Sequence, residues 1–397
     1  MNLTGGKIRG TVLLTGVTGG LGAELLPRLL RRHPDCEVAA LTRGGTPRQA
    51  QDRLEAALDF ARLGPEERAR VSLLHGDVSH PRFGLSDADW RALASRVGRV
   101  FHLAASVDFD LPLAESRAAN VDSAREVLAF CGEAARGMRD FRLNYVSTAY
   151  VSGRRRGRLM EDELYLGQTF CNGYEQSKFE AEQLVRQAAA RLPLTIYRPS
   201  QIIGESSEGR IRKFFGYYEF LKLAERGRMP VLPADPLARP DLVPADYVCE
   251  AMLHFDADPG AVGRCYHLTA GLARSLSFER IFSQMYRELA ARRPDGKGPA
   301  KPRMFRPEEL EWMASPEELR RFHLSPLKLL LRTYRAYLES ERDFDCEATQ
   351  ASLARAGIAL PDIESALRLS AGYALGARFG QTGRAGAARS GAARQPA

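Results

Sequence analysis

What this chain has little of narrows its class first. Its six cysteines, at 36, 131, 171, 249, 265 and 346, are scattered and include no CxxC pair. That spacing offers neither a disulfide framework nor a zinc site. It points to reduced thiols in a cytoplasmic protein, with no metal expected. No apolar run reaches about eighteen residues, so no membrane span is expected. Met1 to Arg9 lacks the apolar core of a secretion signal and leads straight into a strand-like run. No internal repeat is present. With 397 residues, 44% hydrophobic and 27% charged, the chain can nevertheless bury a large core.

Acidic residues are missing only locally. From Arg378 to Ala397 four arginines stand among Gly, Ala, Ser and Gln without one acid, supplying half of the +8 net charge. Such a composition predicts a disordered basic tail over 377–397. The remaining body is mildly basic, which suits the phosphates of an anionic cofactor, and no nucleic-acid partner is expected.

Along the body, strand-like apolar runs alternate with helical patterns. Thr11 to Thr15 reads as a buried strand, followed by a glycine turn and an amphipathic helix over 22–32. Val38 to Arg43 is the second strand and 49–63 the next helix. Strands at 71–74, 100–104 and 143–147 follow, with a helix over 118–135 before the last. A helix over 174–190 and a sixth strand at 194–197 complete the series. This alternation predicts an α/β fold, a Rossmann-type doubly wound parallel sheet over 1–204. Beyond it, helical patterns at 211–227, 278–293, 307–322, 326–341 and 363–375 predict a smaller, mainly helical C-terminal substrate lobe over 205–376. Segments near 242–248 and 264–270 are expected to return to the sheet.

The chemistry begins at Gly16-Val17-Thr18-Gly19-Gly20-Leu21-Gly22, directly after the first strand. Gly16 permits the tight turn, Gly19 lets backbone approach a pyrophosphate, and Gly22 lets the helix pack closely. The helix N-terminus then offers unpaired N–H groups to phosphate. An NAD enzyme usually carries an acid after its second strand; Arg43 stands here instead, with Arg53 as a second cation. NADP is therefore expected in preference to NAD. Asp77 and Val78 follow the third strand, where an adenine edge could be read. Ala104, Ala105 and Ser106 are small, as backbone passing close to a cofactor requires.

Tyr174 and Lys178 are four residues apart on one helix and share a face. A lysine there can draw a phenol's pKa from about 10 toward working pH and can hold a nicotinamide ribose. Thr148, at the tip of the fifth strand, offers a hydroxyl to a substrate oxygen. Tyr174 would exchange the proton while the nicotinamide exchanges the hydride. Asn120, on the preceding helix, is placed to hold a proton relay.

Further matches accompany these residues: Gly76-Asp77-Val78-Ser79, Asn120-Val121, Val146-Ser147-Thr148, Asn172-Gly173-Tyr174-Glu175-Gln176-Ser177-Lys178, Arg198-Pro199-Ser200 and Asp241-Leu242-Val243-Pro244. With them the chain resembles the extended short-chain dehydrogenases/reductases, specifically the male-sterility-type branch containing thioester reductase domains and fatty acyl-CoA reductases. The likeness covers roughly residues 8–270. It implies a Thr148-Tyr174-Lys178 triad, adds Pro199 and Ser200 to the cofactor-binding set, and implies NAD(P)H-dependent reduction of a carbonyl or thioester. Thioester reductase domains usually follow a carrier domain, and none lies in this sequence.

Phe214, Phe215 and Tyr218, just after the sixth strand, are expected to wall a pocket for a hydrophobic acyl or isoprenoid substrate, free or carried on CoA or a carrier protein. The Arg154–Arg158 run reads mainly as a solvated loop, with an acidic carrier as its sharper alternative. Two other functions share the triad: reduction of a bulky isoprenoid, polyketide or steroid-like ketone, and sugar-nucleotide epimerisation. A cofactor-binding regulator without turnover fits the intact triad less well.

Overall fold

The computed structural model describes residues 8, 10–339 and 341–380. Seven strands form one sheet: β1 (Gly10–Thr15), β2 (Cys36–Thr42), β3 (Val71–His75), β4 (Val97–His102), β5 (Arg142–Val146), β6 (Leu194–Pro199) and β7 (Cys265–Leu268). Their spatial order is β7-β6-β5-β4-β1-β2-β3, and every pairing is parallel. Parallel strands buried on both faces need apolar residues at consecutive positions, which is why Val12–Leu14 of β1 and Val38–Leu41 of β2 are unbroken apolar runs. Leu13 joins the core on one face and Leu14 the core on the other.

The chain leaves β1 toward β2 and β3, then crosses back to β4. The crevice at this reversal, beyond the carboxyl ends of β1 and β4, is where doubly wound folds bind their ligands. Helix α1 (Gly20–Arg32) follows the glycine turn, and α2 (Pro47–Phe60) follows β2. Helix α3 (Ser123–Gly137) precedes β5, and α4 (Gly173–Ala188) carries the Tyr/Lys pair. Asn172 caps α4, its side chain accepting from the N–H of Glu175 at 3.0 Å.

A third core belongs to the helices after β6. The main helices after β6 are α5 (Tyr217–Glu225), α6 (Ala245–Ala257), α7 (Phe278–Ala291), α8 (Leu327–Leu338) and α9 (Ile363–Gly376). Of these, α6 packs instead against the sheet and α1.

Three expectations need correction. Segment 242–244 does not enter the large sheet; it pairs in parallel with Gln201–Ile203, a separate two-stranded ribbon beyond the end of β6. The helix expected from residue 211 starts only at Tyr217, because Gly216 adopts φ +60° and interrupts the run. The helix expected over 307–322 is two, Leu310–Met313 and Pro316–His323, the second restarted by a Ser315 cap. Of the predicted basic tail, residues 381–397 lie outside the described residues. No helix among the described residues is long and apolar enough to cross a membrane.

Candidate active site

The glycine turn is shaped by close backbone approaches. A Cβ on Gly16, at φ +77°, would lie 2.7 Å from the Ala104 nitrogen, and one on Gly22 would lie 2.2 Å from the Gly16 carbonyl oxygen. β1 and the end of β4 are thereby drawn together under the turn, where the N–H of Ala104 donates to Thr15 Oγ1 at 3.2 Å. The N-cap of α1, Gly19, provides no side-chain cap, and the first turn of α1 contains no acid. An uncapped helix N-terminus beside a tight glycine turn fits a pyrophosphate.

Arg43 and Arg53 lie together past β2, Arg53 Nη1 donating to the Arg43 carbonyl oxygen at 3.1 Å. Two cations missed in the sequence join them. Arg212 donates to the carbonyl oxygen of Thr18 in the glycine turn. Lys213 has its pKa depressed by burial and by the positive charges of Arg212, Arg53 and Arg43. None of the four pairs with an acid among the described residues. Reading 211–216 as helix had turned these two residues into ordinary polar positions. Asp77, past β3, is engaged locally: its Oδ1 accepts from the Ser79 N–H at 3.0 Å and hydroxyl at 2.7 Å. Val78 packs against the core, as does Leu21 of α1.

Thr148, Tyr174 and Lys178 are all buried and converge at the end of β5. Burial pushes the Tyr174 phenol up to about 12, with the Thr148 hydroxyl pulling it partly back. The lowering expected from Lys178 is not found. Its ammonium turns instead to the carbonyl of Val146 at 2.8 Å and the hydroxyl of Tyr145 at 3.3 Å. Burial lowers Lys178 itself to about 8. Thr148 Oγ1 accepts from the N–H of Tyr150 at 3.3 Å and faces the Pro199 carbonyl oxygen at 3.5 Å. Ser200, next to Pro199, is tied to Asp241, whose carboxylate also accepts from the N–H groups of Ala270 and Gly271.

Asn120 lies in a π-helical turn, Ala118–Asp122, just before α3. It links two parts of the site. Its Oδ1 accepts from the Ser106 N–H at 2.8 Å, and its Nδ2 donates to the Ser177 hydroxyl of α4 at 2.9 Å. Ala105 joins Ala104 to this anchored Ser106. A second brace lies beneath the triad, between Glu182 and the Arg198 of the Arg198-Pro199-Ser200 motif. Glu182, one turn beyond Lys178, is fully buried, and burial alone would raise its pKa; Arg198 and Arg186 hold it down to about 2. It accepts from the Ser147 hydroxyl at 2.6 Å and from Arg198 Nη2 at 2.7 Å, fixing the turn that presents Thr148.

Beside the triad lies a pocket lined chiefly by rings, among them Tyr150, Tyr217, Phe220, Phe282, Tyr334 and Tyr337. Phe109 bridges the two, its ring centroid 5.2 Å from that of Tyr174 and 5.4 Å from that of Tyr337. The Tyr337 hydroxyl donates to Glu175 at 2.7 Å, so α8 is anchored at the start of the catalytic helix. The residues expected to form the wall do not line this cavity. Tyr218 is core, its hydroxyl accepting from the N–H of Gly204 at 2.8 Å, and Phe214 packs on Tyr218, Tyr373 and Phe379. Phe215 is half-buried outside it; from the same stretch, Gly216, Tyr217 and Phe220 supply the lining. In the arginine loop, Arg155 pairs with Glu163 and Arg158 with Asp345 and Glu347.

A doubly wound parallel sheet with this glycine turn at its switch point and a Thr/Tyr/Lys set beside it defines an NAD(P)-binding oxidoreductase of the extended short-chain type. The chain belongs to the male sterility protein family, whose profile matches residues 14–252. It is 32% identical over 272 residues to the nonribosomal peptide synthetase asaC of Aspergillus flavus, covering 65% of this chain and 26% of that protein. The aldehyde reductase lnbA of the same fungus is 31% identical over 274 residues, 66% of this chain and 26% of that protein. The chain thus spans about a quarter of the length of either relative. Among solved structures, the terminal R domain of the myxalamid PKS-NRPS pathway superposes with a TM-score of 0.77 at 29% identity, covering 94% of this chain and 92% of that one.

Proposed function

We propose that the protein reduces a hydrophobic acyl thioester, presented on a carrier protein or CoA, to the aldehyde, with NADPH as the preferred reductant. The observation carrying this reading is the pairing of a protonated phenol with a ring-lined cavity. At about 12, Tyr174 keeps its proton at neutral pH and can deliver it to an oxygen that gains negative charge. The bound cofactor supplies the hydride. Thr148 orients the substrate oxygen and Tyr174 protonates it as hydride arrives; loss of the thiol from the resulting hemithioacetal leaves the aldehyde. Lys178 keeps a positive charge beside the reacting centre, and Asn120 holds the Ser106 loop against the catalytic helix. Rings rather than polar groups around the cavity favour an acyl chain over a sugar nucleotide.

The preference for NADPH rests on Arg43, Arg53, Arg212 and Lys213, four cations that form no ion pair with an acid among the described residues and gather beside the glycine turn, where a 2′-phosphate would lie. The relatives, a peptide synthetase, an aldehyde reductase and an R domain, support thioester chemistry and a carrier-borne substrate. The test is spectrophotometric: NADPH and NADH oxidation against acyl thioesters, fatty aldehydes and bulky ketones. Thioester-dependent NADPH oxidation with release of free thiol is expected. Turnover confined to ketones would overturn the reading.

A further inference from the structure

The ring-lined cavity is not apolar throughout, and its exceptions share one character. Among the described residues, three of the few buried polar side-chain atoms that lack a hydrogen-bond partner lie on this single cavity: Gln201 Nε2, the Tyr217 hydroxyl and Arg342 Nε. Tyr217 and Arg342 are only 6% and 7% exposed. They come from three separate parts of the chain: the ribbon strand after β6, the first residue of α5 and the segment beyond α8. Buried groups of this kind are normally paired within a protein, because an unpaired one is costly. Three orphans from three segments on one pocket wall are what a site built to hydrogen-bond its ligand presents.

Their chemistry sets the complement. Gln201 Nε2 and Arg342 Nε donate, and the tyrosine hydroxyl can donate. The charge of Arg342 is already answered, since Nη2 faces Glu175 Oε1 at 3.4 Å and the guanidinium lies 5.0 Å from the ring centres of both Tyr150 and Tyr337. What it has left is a direction, not an unpaired charge. The one carboxylate on the wall, Asp241, is occupied by Ser200, Ala270 and Gly271. Arg239 also lines the pocket, but it is exposed to solvent and donates to the Leu272 carbonyl oxygen at 3.4 Å. The buried part of the wall therefore offers donors and little net charge.

We infer that the acyl group taken into this cavity carries a neutral hydrogen-bond acceptor within its chain, an amide or ketone oxygen, read by Gln201, Tyr217 and Arg342. This rests on the proposed function in taking the cavity as the acyl site. The test compares the decanoyl thioester of N-acetylcysteamine with chains of equal length in which an amide is moved stepwise along, such as the hexanoyl-β-alanyl thioester. At least one amide-bearing chain should exceed the decanoyl chain in kcat/KM by about tenfold or more. Tyr217→Phe and Gln201→Met should each bring that ratio toward one. A wild type that uses the decanoyl chain as well as every amide-bearing chain overturns the inference, as does preference for a chain ending in a carboxylate. Binding of decanol and of hexanoyl-aminopropanol, followed by thermal shift, separates the two claims. Preference for the amide without turnover of any thioester would refute the reductase reading and leave this one standing; equal binding of the two alcohols would remove it.

Discussion

A phenol raised to about 12 and an ammonium lowered to about 8 sit one helical turn apart, both because water is excluded. If Tyr174 is the proton donor, Tyr174→Phe should lower kcat by about 10²–10⁴-fold while cofactor affinity, measured by fluorescence titration, stays nearly unchanged. A variant that retains most of its kcat would move the donor elsewhere. Lys178 makes a separate prediction about stability. Its folded pKa lies below the unfolded value of about 10.4, so the unfolded chain holds the proton more tightly. The resulting penalty is fully present below pH 8 and is relieved as pH rises toward the unfolded pKa. Between pH 7 and 10 the cofactor-free wild type should therefore gain about 2–3 kcal/mol relative to Lys178→Met, read from urea unfolding at each pH. A difference that does not change with pH would show that the ammonium is solvated. At the adenosine end, Arg43→Ala and Lys213→Ala should each raise KM for NADPH roughly tenfold and leave NADH little changed. Equal effects on both cofactors would place these cations away from a 2′-phosphate.

Among the elements, the glycine turn and the catalytic helix were the most legible in sequence, because each is dictated by short-range chemistry. Gly16 must be glycine: a side chain there meets both an unfavourable φ of +77° and the backbone of Leu103 and Ala104. Gly16→Ala should cost about 1–3 kcal/mol of stability without cofactor present and should weaken cofactor binding; unaltered unfolding would mean that the turn yields. The segment over 211–227 was misread for the opposite reason. Its aromatic residues recur at helical spacing, yet Gly216 breaks the helix, and a Cβ there would lie 2.2 Å from Gln201 Nε2, a neighbour fifteen positions back in sequence. No local pattern announces that contact. The same limit hid the contact between Glu182 and Arg198, which braces the triad across separate elements, and it hid Arg212, which reaches the glycine turn from the second lobe. Contacts distant in the chain carry no periodicity, so a motif residue such as Arg198 is visible while its partner is not.

At the scale of the whole molecule, the proposed function divides between a sheet that would position the reacting groups and a helical lobe that would set what reaches them. Efficiency should climb roughly fourfold per added methylene, about 0.8 kcal/mol each, until the cavity is full. Phe220→Ala should flatten that climb, because its ring lines the cavity. Tyr218→Ala should instead cost stability, by about 3–5 kcal/mol, because its ring fills the core. If the two variants behave alike, the cavity is not the acyl site.

The edge strand β7 has a consequence for how this protein is made. It pairs with β6 from some seventy residues further along the chain, and the intervening α6 packs on α1. Arg142 at the start of β5 donates to the carbonyls of Phe255 and Asp258 at 3.0 and 2.8 Å, and Asn144 donates to Asp256 at 2.6 Å. A nascent chain released only as far as residue 204 thus exposes one flank of its central strands, leaves Arg142 unanswered, and has no cover for α1. During synthesis the cofactor lobe must wait for residue 268 to leave the ribosome, by which time all of α5 and α6 are already made. The two lobes are therefore born interleaved, and a gene fragment cut at the apparent end of the dinucleotide fold should yield aggregate where one carried through β7 has a complete sheet to close.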